Sequence, residues 1–253
     1  MIELIELTKV FGQVTAVDKL NLVVHPGEVF ACLGPNGAGK TTTIKMMMGL
    51  LRPTSGVVRL GGYDLAQQPE AAKQQCGFVP DRPFLYDKLT GAEFLEFVAG
   101  LYGVEPRCVA SKRQQLLEQF GLADWADELT ENYSHGMKQR LALAAALIHE
   151  PKILVLDEPI VGLDPRGARL LKQLVRKLAA SGVTVFFSTH SLDVAEDIAD
   201  RIGIIDHGRL IAVGTLAELR RLGGSPAGAD LETIFLRLTA ADTLGEWPAR
   251  AHA

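Results

Sequence analysis

The chain has 253 residues, of which 47% are hydrophobic and 22% charged, and its formal net charge is −4. These fractions are close to globular averages and argue against disorder, and the length suits one large domain or two closely fused ones. Because acidic residues outnumber basic ones and no stripe of basic residues is present, nucleic acid is not an expected partner. No apolar run approaches the roughly 20 residues of a membrane-spanning helix.

The N-terminus lacks the pattern of a secretory signal, because Glu3 and Glu6 fall within its first residues and no basic and then apolar order follows. The cysteines are odd in number and have no metal-ligand spacing; they are Cys32, Cys76 and Cys108. This usage is typical of buried or free thiols in a reducing cytosol.

The first part of the chain alternates between apolar and polar residues on either side of a turn near Gly12, which predicts a β region. The apolar run 28–33 predicts a buried strand, and a glycine-rich turn then leads into a helix predicted over 41–50. Residues 84–149 lack good strand patterns and predict successive helices, with breaks near 103–106, Gly121 and 132–136.

Strand and helix patterns alternate again after this helical stretch. Buried strands are predicted at 153–156, 183–188 and 202–205, with helices from Asp164, as N-cap, to Gly182 and over 192–199. Alternation of this kind predicts an α/β fold with a parallel sheet covered by helices. The predicted organisation is one domain over 1–240, with a core at 1–83 and 150–215, a helical subdomain at 84–149, C-terminal helices at 215–240, and a flexible tail at 241–253.

Residues 34–41 fit the pattern G-x-x-x-x-G-K-[ST] and lie between a predicted strand and a predicted helix. Glycines allow several backbone N–H groups to turn toward an anion, Lys40 supplies a cation for outer phosphates, and the Thr41 hydroxyl is a ligand for Mg²⁺. An ordinary glycine turn is the alternative. The residues predicted to bind ATP in and after this loop are Gly34, Pro35, Asn36, Gly37, Ala38, Gly39, Lys40, Thr41 and Thr42.

Two carboxylates and a histidine follow buried strands, where open α/β sheets bind their ligands. Asp157 is predicted to hold Mg²⁺ through water, and Glu158 to act as the general base on the attacking water. His190 is predicted to contact the γ-phosphate and to orient Glu158. The alternatives are a solvated acidic turn for the carboxylates and a capping or surface role for the histidine.

Together with the segments 133–137 and 162–164, these motifs resemble those of ABC-transporter ATPases in order and spacing, over roughly residues 1–240. The resemblance implies a P-loop NTPase (RecA-like) core with an N-terminal antiparallel β region and a helical insertion. It implies ATP and Mg²⁺ as cofactors, a homodimer or a heterodimer with a related ATPase, and an integral membrane permease as partner. The location implied is peripheral, on the cytoplasmic face of the inner membrane.

The resemblance also assigns residues that act between subunits. Ser134, His135, Gly136 and Met137 would face the nucleotide bound by the other subunit, and Asp164 would bridge the two subunits. For Ser134 alone, a plain helix N-cap is the alternative. Phe11 matches the position where the family stacks an aromatic ring on adenine, with a core aromatic as the alternative.

The sequence departs from the family pattern at two places. Asp81 stands where the family usually has glutamine, and we expect it still to approach Mg²⁺. In the signature segment, residues 133–137, His135 replaces the first glycine and would add a titrating group near the phosphate. These variants look most like those of small exporters with a separate permease.

Two other functions compete with a transport ATPase. A soluble ABC protein acting on ribosomes or DNA usually carries two ATPase units or long coiled coils, and neither is seen in the sequence. A nucleotide-binding regulator that does not hydrolyse is disfavoured by the intact Lys40, Asp157, Glu158 and His190.

Overall fold

A computed structural model describes residues 1–224 and 230–243. The strands are β1 (Ile2–Phe11), β2 (Val14–Val24), β3 (Val29–Leu33), β4 (Ser55–Leu60), β5 (Tyr63–Asp64), β6 (Cys76–Val79), β7 (Ile153–Asp157), β8 (Thr184–Thr189), β9 (Arg201–Asp206) and β10 (Arg209–Gly214). The helices are α1 (Lys40–Met47), α2 (Pro69–Gln74), α3 (Gly91–Leu101), α4 (Pro106–Gln119), α5 (His135–Leu147), α6 (Pro165–Ala180), α7 (Leu192–Ile198), α8 (Leu216–Leu222) and α9 (Leu231–Thr243).

The strands form two sheets. One is antiparallel, in the order β2-β1-β4-β5, and confirms the N-terminal β region. The other has the order β10-β9-β3-β8-β7-β6, and its neighbours are parallel except for the antiparallel β9–β10 pair at one edge. The predicted parallel sheet is thus confirmed. Its antiparallel edge strand, β10, was not predicted from the sequence.

Strand β3 lies at the centre of the second sheet, and all five of its residues are buried. Phe30 and Cys32 face a core shared with the antiparallel sheet and α1, whereas Val29, Ala31 and Leu33 face a core closed by α5, α6 and α7. Successive side chains of a strand point to opposite faces, so the continuous apolar run is explained by burial on both.

The helical insertion, α3 to α5 with its connecting loops, has a hydrophobic core of its own that includes Leu95, Leu117 and Leu141. Helix α3 begins with a capping box in which Thr90 accepts the Glu93 N–H and the Glu93 carboxylate accepts the Thr90 N–H. Helix α5 also contacts β6 of the main sheet, so it joins the insertion to the core.

Some predicted boundaries differ from the structure. The helix predicted over 41–50 ends at Met47, because Gly49 takes a left-handed conformation with φ +65° that stops the helix. Strands β4, β6 and β10 and helix α2 were not predicted. The flexible tail predicted at 241–253 lies outside the described residues, except for 241–243, which belong to α9.

Cys32 and Cys76 are buried, and burial raises the pKa of each thiol to about 12. Both therefore stay protonated, and no disulfide is formed by the cysteines at 32, 76 and 108.

Among residues 1–224 and 230–243, no helix combines the length and the apolar character needed to cross a bilayer.

Candidate nucleotide-binding site

Residues 34–41, the P-loop, connect the end of β3 to the start of α1, as predicted. Two of its glycines cannot carry a side chain: a Cβ on Gly34 would lie 2.3 Å from the Ile205 carbonyl oxygen, and one on Gly39 would lie 2.6 Å from that of Ala16. Gly39 also has φ +109°, a region that side chains rarely allow. The loop is thus a tight backbone turn enclosed by β9 and the antiparallel sheet.

Lys40 is buried, with a side chain only 6% exposed, and its ammonium stays within the P-loop. It donates to the carbonyl oxygens of Gly34 at 2.7 Å and Pro35 at 3.1 Å. The same nitrogen lies 3.7 Å from Oε1 of Glu158. The predicted phosphate cation and the predicted general base are therefore neighbours.

Asp157 ends β7 and faces the first turn of α1. The Thr41 hydroxyl donates to its Oδ1 at 3.3 Å, and the Ser188 hydroxyl donates to the same oxygen at 2.5 Å. Burial raises the pKa of the Asp157 carboxyl, and these two hydrogen bonds oppose the increase.

A hydroxyl and a carboxylate are the hard oxygen ligands that Mg²⁺ prefers, so Thr41 and Asp157 fit the predicted metal role. Across residues 1–224 and 230–243, no group of three or more His, Cys, Asp or Glu side chains has the arrangement of a metal site.

Glu158 and His190 are brought together as predicted. Nδ1 of His190 lies 3.0 Å from Oε2 of Glu158, whose side chain is only 14% exposed. Glu158 itself has φ +48°, and its N–H donates to Oγ of Ser188 at 2.9 Å.

Ser188 was not among the predicted site residues, although its position in the strand offered a signal. Side chains two residues apart share one face of a strand, so Ser188 should lie on the same side as His190.

Phe11 is 49% exposed, so the alternative of a core aromatic is wrong. The ammonium of Lys9 lies 5.0 Å from the centre of the Phe11 ring. The same ammonium donates to the Arg52 carbonyl oxygen, which holds the ammonium in place. A cation within about 6 Å of an aromatic face is an attractive contact. The ring is therefore accessible at the surface, and adenine stacking on it stays a prediction.

Asp81 lies in an exposed bend after β6. It is near enough for its negative charge to contribute to the raised pKa of Asp157. Within the described residues, however, it forms neither a hydrogen bond nor an ion pair, so the structure does not bring it into contact with the other predicted Mg²⁺ ligands.

The signature segment, residues 133–137, is only partly exposed, because Tyr133 and Met137 are buried. The side chain of Met137 therefore packs in the core of the helical insertion and does not face outward as predicted. Ser134 caps α5 by accepting the Met137 N–H at 3.3 Å, and both Ser134 and His135 are exposed. A Cβ on Gly162 would lie 2.9 Å from Nε2 of His135, so the imidazole packs against the loop that leads to Asp164. Asp164 caps α6 by accepting the Gly167 N–H at 2.7 Å.

Ser134, Gly136 and Asp164 line one cleft of about 890 Å³ between the helical insertion and α6. None of the P-loop residues lines that cleft. The predicted residues thus fall into two separate groups on one chain, one around Lys40 and the other around Ser134.

Comparison with known proteins gives consistent results. A family profile described as "ABC transporter" matches residues 17–161. The chain is 43% identical over 240 residues to the "Probable multidrug ABC transporter ATP-binding protein YbhF" of Escherichia coli (strain K12). The aligned region covers 94% of this chain and 41% of the relative. The chain therefore spans less than half of that relative's length.

Two solved structures share the fold. "Structure of ATP binding subunit of ABC transporter" has a TM-score of 0.89 and 35% identity, covering 94% of this chain and 99% of the other. "Dimeric Structure of MJ0796, a Bacterial ABC Transporter Cassette" has a TM-score of 0.78 and 27% identity, covering 85% and 99%.

Proposed function

Because the chain belongs to the ABC transporter family of ATP-binding proteins, we propose that it hydrolyses ATP to power translocation by a separate integral membrane permease. The convergence of Lys40, Glu158 and His190 at one edge of the sheet carries this proposal. A cation, a carboxylate and an imidazole in contact are the groups that positioning of a phosphoryl group and activation of water require.

In the proposed reaction, the P-loop backbone and Lys40 hold the outer phosphates, and Thr41 and Asp157 hold Mg²⁺. A bound Mg²⁺ ion would neutralise charge on the phosphate oxygens. The Glu158 carboxylate accepts a proton from the attacking water, and His190, 3.0 Å away, keeps the carboxylate in place.

The separation of the two residue groups supports dimerisation. The exposed start of α5 at Ser134 is a second place for an anion, because helix N-termini present unpaired N–H groups and positive potential. We propose that this end contacts the nucleotide held by the P-loop of the other subunit. The match to a cassette described as dimeric agrees with this arrangement.

The permease is proposed to dock on an exposed aromatic patch that follows Asp81. Phe84 is 80% exposed and Leu101 68% exposed, and the ring of Tyr86 packs edge-on between those of Phe84 and Phe97. Exposed apolar patches of this kind mark sites of protein–protein contact. Docking there would place the chain at the cytoplasmic face of the membrane.

Export of drug-like molecules is the proposed direction, because the reported relative is described as a probable multidrug transporter ATP-binding protein. The permease would select the substrate. A role on ribosomes or DNA has no support from this relative or from the acidic net charge.

The central test is ATP turnover by the purified chain with Mg²⁺. Lys40→Ala should abolish turnover, and Glu158→Gln should lower it by about 100-fold or more while ATP still binds. Glu158→Gln should also accumulate as a dimer with ATP, seen by size-exclusion chromatography. A Glu158→Gln variant that remains monomeric with ATP and Mg²⁺ would contradict the shared-site mechanism.

A further inference from the structure

The hydroxyl of Ser188 is buried between the two residues to which the proposed function assigns Mg²⁺ binding and water activation. Ser188 is 0% exposed and lies directly opposite Asp157 in the parallel pairing of β7 and β8. Its Oγ donates to Oδ1 of Asp157 at 2.5 Å and accepts the N–H of Glu158 at 2.9 Å.

In these two contacts the Ser188 hydroxyl acts once as a hydrogen-bond donor and once as an acceptor. A hydroxyl has a single proton, here given to Asp157, and its lone pairs then accept the N–H of Glu158. The direction of each bond is fixed by its partner, because a backbone N–H only donates and an ionised carboxylate only accepts. Replacing the hydroxyl removes both bonds.

Each contact has a geometric consequence. Glu158 leaves β7 in a left-handed conformation, φ +48°, which is uncommon for a residue other than glycine and needs support from its surroundings. At Asp157, the hydroxyls of Ser188 and Thr41 both bind Oδ1, which leaves Oδ2 as the oxygen that neither hydroxyl engages.

We propose that Ser188 is a positioning residue for ATP hydrolysis. Its hydroxyl holds the Glu158 backbone so that the carboxylate lies between His190 and Lys40. This inference rests on the proposed function and adds a residue to it. Ser188 acts through Glu158, since its own side chain is fully buried.

The test compares steady-state turnover of substituted chains. Ser188→Ala should lower kcat about tenfold and leave the KM for ATP within about twofold, because the P-loop is untouched. Ser188→Thr, which keeps a hydroxyl, should retain most of kcat. Thr184→Val is the matched control, since Thr184 is buried at the other end of β8 and, within residues 1–224 and 230–243, its hydroxyl donates only to the His25 carbonyl oxygen.

A double-mutant cycle separates positioning from general stabilisation of the strand. In a Glu158→Gln background, Ser188→Ala should cause little further loss of residual turnover, because no carboxylate base remains to be positioned. An additional tenfold loss in that background would refute the inference. Equal losses for Ser188→Ala and Ser188→Thr would also refute it, because the hydroxyl would not be the feature responsible.

The outcome also distinguishes this inference from the proposed function. A wild-type chain without turnover would refute the proposed function and any role of Ser188 within it. Turnover that is lost in Lys40→Ala but normal in Ser188→Ala would refute the role of Ser188 alone.

Discussion

Gly77→Ala tests how closely the helical insertion is fitted to the core. A Cβ on Gly77, in β6, would lie 2.2 Å from the carbonyl oxygen of Ala146, in α5, and 3.0 Å from its carbonyl carbon. Both atoms belong to backbone, so no side-chain rotation relieves the contact, and the helix and strand must separate by about 1 Å to restore van der Waals distance. We expect a loss of about 3 kcal/mol, at the upper end of the usual cost of overpacking.

For a chain of this size, such a loss lowers the melting temperature by about 6–12 °C, which calorimetry or circular dichroism without nucleotide would measure. Gly100→Ala is the control, because its added Cβ meets nothing within 4 Å and the residue lies inside helix α3. That substitution should be neutral or stabilise by up to about 1 kcal/mol. A melting temperature for Gly77→Ala within about 2 °C of wild type would show that the contact of β6 with α5 is not as close as described.

Three further substitutions follow from the site and its surroundings. Asp81→Ala should lower permease-stimulated ATP turnover, measured in reconstituted vesicles, because Asp81 lies near Asp157 and directly precedes the proposed docking patch. Unchanged stimulation would contradict a role of Asp81 in coupling to the permease. His135→Gly should lower ATP turnover, because the imidazole that packs against the loop leading to Asp164 is lost; unchanged turnover would dismiss that contribution. Burial lowers the pKa of His149 from 6.5 to about 4, so only the unfolded chain takes up its proton between these pH values, and stability falls as pH drops through that window. After a discount for partial exposure, the loss is about 1–2 kcal/mol by urea denaturation, and His149→Gln should lack it.

The parts of the fold that were predicted from the sequence are those whose structure is determined by residues within the same segment. The strand before the P-loop is apolar on both faces, and α6 begins at Asp164 and Pro165, the N-cap and first helical residue that the pattern indicated. The candidate site was predicted because strands that run parallel end at one edge of a sheet, which brings Asp157, Glu158 and His190 together.

The parts that were missed depend on distant contacts. Strand β6 has only four residues, includes Gly77 and is followed by Pro80, so its strand conformation depends on pairing with β7 and on contact with α5. Likewise, the contact of Lys40 with Glu158 and the two bonds of Ser188 join residues far apart in the chain. The pattern of apolar and polar residues within one segment carries no information about contacts between distant segments.

The central position of β3 has a consequence for biosynthesis. Both of its hydrogen-bonded neighbours, β8 and β9, are translated long after it, and the Gly208 N–H that donates to the Ala38 carbonyl oxygen comes later still. A nascent chain released before Thr184 would leave β3 with two unpaired edges, which invite aggregation. Competence to bind nucleotide should therefore arise only after the residues up to Gly208 have left the exit tunnel.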